Sequence, residues 1–237
     1  MQRTVGSSTT RPVAADTGAW PIPRQPRTAG RPFVLHPHGL HDLRRSPAAT
    51  GPAVLSYPFG DLVVVTGLPG SGKSTLMRRC ARAPIVDSQL SREHYARLLP
   101  PGLPYAVYRP LVRLRHYRRL HRALLAGGPL VVHDCGTLPW VRAWLARTAL
   151  SQGRRLHLVL LDSTPAEARQ GQQARGRRVS AYAFARHRGS AARLHAELAG
   201  GSGAAAGCAS TVLLDRAAAR GLRGIEFTAG APGHLGG

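Results

Sequence analysis

Five runs of aliphatic and β-branched residues predict the strands of a sheet that is buried on both faces. None of the runs alternates apolar with polar residues, as a strand with one solvent-facing side would. The runs are Leu62 to Thr66, Pro84 to Asp87, Leu130 to Asp134, Leu156 to Asp162 and Thr211 to Leu214. The segment from Ile225 to Phe227 is a candidate for one further short strand.

Longer segments with helical spacing separate these strands. They cover residues 73–82, 89–99, 105–126, 139–152, 165–199 with a break, and 216–223. Strands that alternate with helices of this length predict a parallel sheet, because each helix returns the chain to the same end of the sheet in a right-handed crossover. The chain is therefore expected to have an α/β fold.

The two ends of the chain lack this periodicity. Residues 1–58 contain nine of the 19 prolines, scattered arginine and few large apolar residues, so we predict a disordered Pro/Arg-rich N-terminal tail. Such a tail is either an interaction arm or a flexible extension, and the second interpretation is favoured. Residues 230–237 are expected to form a flexible C-terminal tail, which leaves one domain over residues 59–229.

Composition narrows the class of protein. With 43% hydrophobic residues the chain can bury a core, although its formal net charge is +22 at pH 7. No apolar run approaches the ~18 residues of a membrane-spanning helix and the N-terminus lacks a secretory stretch, so we expect a cytoplasmic protein without a membrane partner. Cys80, Cys135 and Cys208 form no CxxC pair, which favours reduced structural thiols. Composition leaves the oligomeric state open.

The first predicted strand leads into a phosphate-binding loop. Its residues are Gly67, Leu68, Pro69, Gly70, Ser71, Gly72, Lys73, Ser74 and Thr75, which match the pattern GxxxxGK[ST]. The glycines let successive N–H groups point inward, and the following helix adds the positive end of its dipole, so the loop can hold phosphate oxygens. Lys73 is expected to reach the β- and γ-phosphates of ATP, and the Ser74 hydroxyl is expected to bind Mg²⁺.

The identity of Lys73 supports this interpretation. It is the only lysine among the 33 Lys and Arg residues. A compact ammonium on a thin stem fits a tight loop in which a planar guanidinium would not, so lysine is expected to persist there in a chain that otherwise uses arginine.

Acidic residues end three of the predicted strands, where ligands bind in doubly wound sheets. Asp134 is placed to reach Mg²⁺ or its water shell, or else to cap the following helix. Asp87 is placed to act as a base toward an acceptor hydroxyl, or else to cap the next helix. For Asp162, which precedes Ser-Thr-Pro-Ala-Glu, a structural role is favoured, with Glu167 in the first helical turn.

Arginine is concentrated in a Gly-interrupted segment after the fourth predicted strand. Within Gln170 to Arg188, Arg175 and Arg177 are candidates to contact the transferring phosphoryl group from a mobile lid. The competing interpretation is that arginine is simply common in this chain.

Residues 105–126 form the longest predicted helix. Its apolar face, which we expect to be buried, consists of Val107, Leu111, Leu114, Tyr117 or Leu120, and Leu124. Arginines cover most of the rest, either as a surface for nucleic acid or another anion, or as a solvated face. The solvated face is favoured, because interleaved exposed aromatic residues are scarce.

Four stretches together resemble a family of small P-loop kinases. GLPGSGKST, PIVDS, VVHDCGTLPWVRAWL and LDSTPAEARQGQQARGRRVSAYAFARH occur in this order. Over about residues 59–228, the chain resembles the domains grouped as AAA family ATPase or predicted kinase, relatives of the zeta-toxin, chloramphenicol phosphotransferase and polynucleotide 5′-kinase group. The resemblance implies a P-loop NTPase fold like that of adenylate kinase, with a five-stranded parallel sheet flanked by helices and an Arg-bearing lid.

The resemblance also implies roles for individual residues. On this basis Lys73, Ser74 and Thr75 bind ATP–Mg²⁺, Asp87 activates the acceptor, Asp134 is the carboxylate of the third strand, and Arg175 and Arg177 are the lid arginines.

These observations predict an ATP-dependent phosphotransferase. It would transfer the γ-phosphoryl group of ATP to a hydroxyl of a small molecule, with Mg²⁺ bridging the β- and γ-oxygens. Two alternatives stay open. In one, the acceptor is the 5′ hydroxyl of a nucleic acid that follows the positive surface. In the other, the protein is an ATP-dependent regulator or toxin-like ATPase that acts through a protein partner.

Overall fold

The computed structural model describes residues 33–46, 50–133, 139–174, 180–201 and 203–229. The chain divides into two units, residues 1–31 and 32–237, and all of the described residues belong to the second. In this part of the chain, no helix is both long enough and apolar enough to cross a membrane.

Strands and helices alternate along the domain. The strands are β1 (Val34–Leu35), β2 (Gly39–Asp42), β3 (Val54–Pro58), β4 (Leu62–Gly67), β5 (Ile85–Asp87), β6 (Leu130–His133), β7 (Leu156–Leu161), β8 (Ser210–Leu214) and β9 (Gly224–Thr228). The helices are α1 (Lys73–Cys80), α2 (Ser88–Leu98), α3 (Tyr105–Leu125), α4 (Pro139–Leu150), α5 (Pro165–Gln173), α6 (Ala181–Ala199) and α7 (Arg216–Gly221).

The main sheet is parallel throughout and runs in the order β2-β8-β7-β4-β6-β5. Its last five strands are the ones that the apolar runs predict, so the predicted α/β architecture is confirmed. β4 pairs with β7 on one side and with β6 on the other. The chain therefore winds in opposite directions from the two sides of β4, and the carboxyl end of β4 is the switch point at which such sheets bind ligands.

The predicted boundary between tail and domain at residue 58 is wrong. β2 pairs with β8 and extends the main sheet to six strands, and β1, β3 and β9 form a second, three-stranded parallel sheet. The segment from Ile225 to Phe227 is thus a strand, as expected, but in this second sheet. The first three strands escape prediction because they are two to five residues long and lie among prolines, so no period is visible. The C-terminal tail and residues 1–32 lie outside the described residues.

The core consists of two apolar clusters, one on each face of the main sheet. Leu62 and Val64 of β4 pack into the cluster with α3, α4 and α6. Val63 and Val65 face the other way, into the cluster with α1, α7, β3 and β9. Burial of each such side chain stabilises the fold by about 1.5–3 kcal/mol. Burial on both faces explains why the strands show no alternation in the sequence.

The predicted apolar face of α3 is wrong in its first half. Val107 is 63% exposed, and Leu111 and Leu114 are also exposed. The buried positions instead recur every four residues, at Tyr108, Val112, Leu120 and Leu124. The half-buried His116 completes this row. The buried row agrees with the predicted face only at Leu120 and Leu124, and the exposed side of the first half of the helix retains several apolar residues.

Candidate active site

The phosphate loop joins β4 to α1 at the switch point of the sheet. Gly70 has a φ of +94°, and a Cβ atom there would lie 2.0 Å from the carbonyl oxygen of Ala168 in α5. Gly67 has a φ of +142°, and its Cβ would lie 2.4 Å from the carbonyl oxygen of Leu161 in β7. Both the left-handed backbone and the lack of space exclude a side chain at these two positions.

Lys73 is held beneath the loop. Its side chain is buried, with the residue 5% exposed, and Nζ donates hydrogen bonds of 2.8 Å to the carbonyl oxygens of Gly67 and Leu68. Within the described part of the chain, the N–H groups of Gly70 and Ser74 donate no hydrogen bond. A buried ammonium and N–H groups without acceptors at the start of a helix fit the phosphate groups of a nucleotide.

The loop is braced by α5, which sequence reasoning did not connect to it. Nε2 of Gln172 donates a 2.8 Å hydrogen bond to the carbonyl oxygen of Pro69. A Cβ atom on Gly171 would lie 2.2 Å from the carbonyl oxygen of Gly70. The helix begins with a capping box between Thr164 and Glu167, as predicted for Glu167. In the sequence, the adjacent small residue and amide, Gly171 and Gln172, are the local signals of this contact.

Asp87 both caps a helix and contacts a histidine. Oδ1 of Asp87 accepts a 2.9 Å hydrogen bond from the N–H of Gln89, which confirms the capping interpretation. The same atom accepts a 2.8 Å hydrogen bond from Nδ1 of His133. In the sheet, His133 is the register partner of both Asp87 and Val65, so the pair lies at the same edge as the phosphate loop.

The environment of Asp87 favours its charged form. Burial opposes the charge, but the hydrogen bond and the charge of His133, together with the N–H of Gln89, outweigh burial and lower the pKa of this carboxyl below its ordinary value. Asp87 is therefore ionised at neutral pH.

A cavity of about 360 Å³ lies beside this pair, between α3, α4, α6 and the end of β6. Its wall includes Ser88, His116 and His133, whereas Asp87 itself does not line it. Sequence reasoning missed both histidines. A histidine on a buried helix row or at a strand end carries no local signal of a role.

His187 of α6 also lines the cavity. Burial, followed by the positive charge of Lys73, lowers the pKa of His187 to about 4. Burial also lowers the pKa of His116, whose neighbours include Asp87 and His133. Both histidines bury Nδ1 without a hydrogen-bond partner among the described residues. Two histidines that line the cavity thus have a buried Nδ1 without a partner among the described residues, and one of them, His187, lies within the electrostatic range of Lys73.

Asp162 has the structural role that the sequence favours. It accepts a 2.8 Å hydrogen bond from Arg44 and lies 3.2 Å from Nε2 of His195. The hydrogen bond of His195 is the largest cause that lowers the pKa of Asp162 to about 2, and burial partly opposes it. The residue ties the segment after β2 to α6.

Three predicted site residues lie outside the described residues: Asp134, Arg175 and Arg177. Ser74 is the one predicted Mg²⁺ ligand that the structure describes, half-buried at the start of α1, and Thr75 beside it is exposed. The described residues contain no group of three or more His, Cys, Asp or Glu residues that could hold a metal ion. A Mg²⁺ ion bound by one hydroxyl, one carboxylate and nucleotide phosphates needs no such group.

Residues 62–196 match the family model described as an AAA domain. The chain belongs to the AAA domain family. This match confirms the resemblance that the four sequence stretches indicate. No curated protein matches the sequence of this AAA domain protein.

Several solved structures resemble this AAA domain protein. The APS kinase of Mycobacterium tuberculosis in complex with AMPPNP and APS is 20% identical, with 69% of this chain and 94% of that chain covered and a TM-score of 0.39. A gluconokinase from Sinorhizobium meliloti 1021 is 18% identical, with 69% and 92% covered and a TM-score of 0.42. A protein of the PezAT toxin–antitoxin system of Streptococcus pneumoniae is 19% identical, with 49% and 52% covered and a TM-score of 0.42. The chain spans about half of that last protein. At these identities and TM-scores, the similarity to solved structures does not indicate a substrate.

Proposed function

We propose that this AAA domain protein is a kinase that transfers the γ-phosphoryl group of ATP to a hydroxyl of a small molecule that also carries an anionic group. The observation that carries the proposal is the position of His133, on the wall of a cavity and at the same sheet edge as the phosphate loop. A volume of about 360 Å³ is within the range of ligand pockets.

The phosphate loop supplies the nucleotide half of the site. The N–H groups at the start of α1 and the ammonium of Lys73 favour negative charge, and both are fixed before the nucleotide binds. Ser74 and Asp134 would hold Mg²⁺, which when bound neutralises charge on the β- and γ-phosphates. Arg175 and Arg177 remain the predicted lid arginines that stabilise the transferring group.

His133 is the group placed to handle the proton of the acceptor. The acceptor oxygen forms a bond to the γ-phosphorus while the bond from phosphorus to the β,γ-bridging oxygen breaks and ADP leaves. The hydroxyl proton passes to Nε2 of His133. Asp87 holds Nδ1 of that ring, so Nε2 is the nitrogen left to face the cavity. This assigns Asp87 a positioning role in place of the predicted role as the base itself.

The cavity wall favours an anionic acceptor. Arg109, Arg113 and Arg186 line it, and none of its lining residues among those described is acidic. A guanidinium donates paired hydrogen bonds to carboxylate, phosphate or sulfate groups. These three arginines are exposed, so their guanidinium groups are accessible to an anionic group of an acceptor in the cavity.

The proposal is tested by ATP consumption with pooled hydroxyl compounds, sorted into anionic and neutral pools, with Lys73→Ala as the blank. We expect acceptor-dependent formation of ADP in anionic pools and none with the blank. ADP formation that is the same without any acceptor would overturn the kinase proposal in favour of a regulatory ATPase. Turnover confined to neutral pools would overturn the anionic class alone.

A further inference from the structure

A second cavity lies on the outer surface between α3 and α4, away from the phosphate loop. It measures about 770 Å³. Among the described residues, four rings line it: Tyr117 and His121 from α3, and Trp140 and Trp144 from α4. We call this the α3/α4 groove. Because its rings come from two helices, the exposed aromatic residues that are scarce along the predicted helix 105–126 come together only in the folded protein.

The four rings form a continuous row. The ring centroid of Tyr117 lies 5.8 Å from that of Trp140 and 6.3 Å from that of Trp144. His121 stacks on Trp144 at 6.2 Å with an interplanar angle of 29°. Trp140 is 56% exposed, so flat aromatic surface faces solvent.

Positive charge surrounds this row. Arg118, Arg122 and Arg147 line the groove and are exposed. The helices α3 and α4 contain no Asp or Glu, so the field of these arginines is not offset by acids on the same helices. A general preference for arginine explains the charge, but it does not explain why aromatic rings lie between the arginines.

We propose that the α3/α4 groove binds single-stranded nucleic acid, with bases stacked on the ring row and phosphates paired with the three arginines. Aromatic stacking in a positive groove is the combination by which proteins hold single strands without sequence preference. An acidic peptide fits less well, because a bound helix lays its apolar face into a hydrophobic groove, whereas the described lining residues alternate rings with arginines and include one aliphatic residue, Leu114.

This proposal is independent of the proposed kinase activity. Tyr117 lines both the groove and the cavity beside His133, so a strand in the groove would pass the wall of that cavity. Binding to the groove nevertheless requires neither ATP nor the phosphate loop. Lys73→Ala is therefore expected to bind a strand as the wild type does, and loss of binding in that variant would locate the strand at the phosphate loop and overturn the proposal.

The test is fluorescence anisotropy with a labelled mixed-sequence DNA strand of 12 nucleotides, in the full chain and over a range of salt concentrations. The ring variant is His121→Ala with Trp140→Ala, both at exposed positions. We expect its affinity to fall about tenfold or more, with an unchanged salt slope, because stacking carries no charge. The charge variant, Arg118→Glu, Arg122→Glu and Arg147→Glu, is expected to bind more weakly and to lower the salt slope by about 2.

The matched control changes three exposed arginines elsewhere: Arg97→Glu, Arg220→Glu and Arg223→Glu. It alters the net charge equally, and we expect it to retain most of the binding. An equal loss in this control would show that only the overall charge attracts the strand and would overturn the proposal. Equal affinity for a duplex, or ring-dependent binding of a poly-glutamate peptide, would also overturn it. Thermal unfolding of each variant separates loss of binding from loss of fold.

Discussion

Nδ1 of His133 lies 2.8 Å from Oδ1 of Asp87, although 46 positions separate the two residues in the chain. The contact exists because β5 and β6 are neighbours and end at the same edge of the sheet. It combines a helix cap with the orientation of a cavity-facing imidazole, so the two functions of Asp87 are separable by substitution.

Asp87→Asn is expected to lower kcat about a hundredfold or more while ATP affinity stays unchanged. An asparagine still caps α2, because its side-chain oxygen accepts the N–H of Gln89, but it has no charge to stabilise a protonated His133. Steady-state kinetics with nucleotide titration measure both quantities. Asp215→Asn is the control, since Asp215 also caps a helix, but its carboxylate accepts hydrogen bonds from the N–H groups of Arg45 and Ala218 and not from His133. Full turnover in Asp87→Asn would refute the role.

Lys73→Arg is expected to lose ATP binding about as completely as Lys73→Ala, although the chain uses arginine elsewhere. Nζ is enclosed by two carbonyl oxygens of its own loop at 2.8 Å, and a guanidinium is too wide for that space. Calorimetric titration with a non-hydrolysable ATP analogue measures the affinity. An arginine variant with wild-type affinity would show that charge alone, and not shape, is required.

Gly70→Ala is expected to destabilise the fold by about 1–3 kcal/mol and to weaken ATP binding. The added Cβ would lie 2.0 Å from the carbonyl oxygen of Ala168, so α5 must move away from the phosphate loop. Gly102→Ala is the matched control. The φ of Gly102, +98°, is similar, but no atom lies within 4 Å of a Cβ added there. This variant therefore reports the backbone strain without the clash. Urea unfolding measures the loss of stability in both variants, and the difference between them is the cost of the clash with Ala168. Equal losses in the two variants would contradict the predicted clash.

Local patterns predict most of the architecture and the nucleotide half of the site. Apolar runs and helical spacing are properties of neighbouring residues, and the loop from Gly67 to Thr75 is recognised from the spacing of its own residues. The five central strands and the phosphate loop therefore follow from the sequence.

The proposed acceptor half does not follow, because it depends on the order of the strands and on which face of α3 is buried. His133 gains its partner only when β6 lies between β4 and β5, and His116 reaches the cavity because the first half of α3 buries Tyr108 and Val112 and not the predicted residues. The brace between Gln172 and the loop joins residues 103 positions apart. Packing, and not periodicity, determines such contacts.

Asp162→Asn removes the charge that pairs with Arg44 and His195. We expect it to destabilise the protein at neutral pH by only about 1 kcal/mol, because these ion pairs are partly exposed and solvent screens them. The pKa of Asp162 is about 2 in the folded chain, against an ordinary value of 3.8. The unfolded chain binds the proton more readily, so the carboxylate stabilises the fold above about pH 4, and this contribution is lost as pH falls to about 2. Denaturant unfolding at several pH values measures it. A difference between the proteins that persists at pH 2 would contradict the assignment.

A buried network at the other end of the sheet provides a test of stability alone. Nε2 of His157 donates a 3.0 Å hydrogen bond to Asp61, and its Nδ1 lies 2.8 Å from the hydroxyl of Ser210. All three residues are buried.

His157→Leu is expected to lower the free energy of unfolding by about 3–5 kcal/mol, because it leaves the Asp61 carboxylate without this partner inside the protein. Ser210→Ala removes one neutral partner and should cost about 1–3 kcal/mol. Urea unfolding of both variants gives these values. Equal costs would show that Asp61 does not need the imidazole, and ATP affinity should stay unchanged in both because the phosphate loop lies at the opposite end of β4.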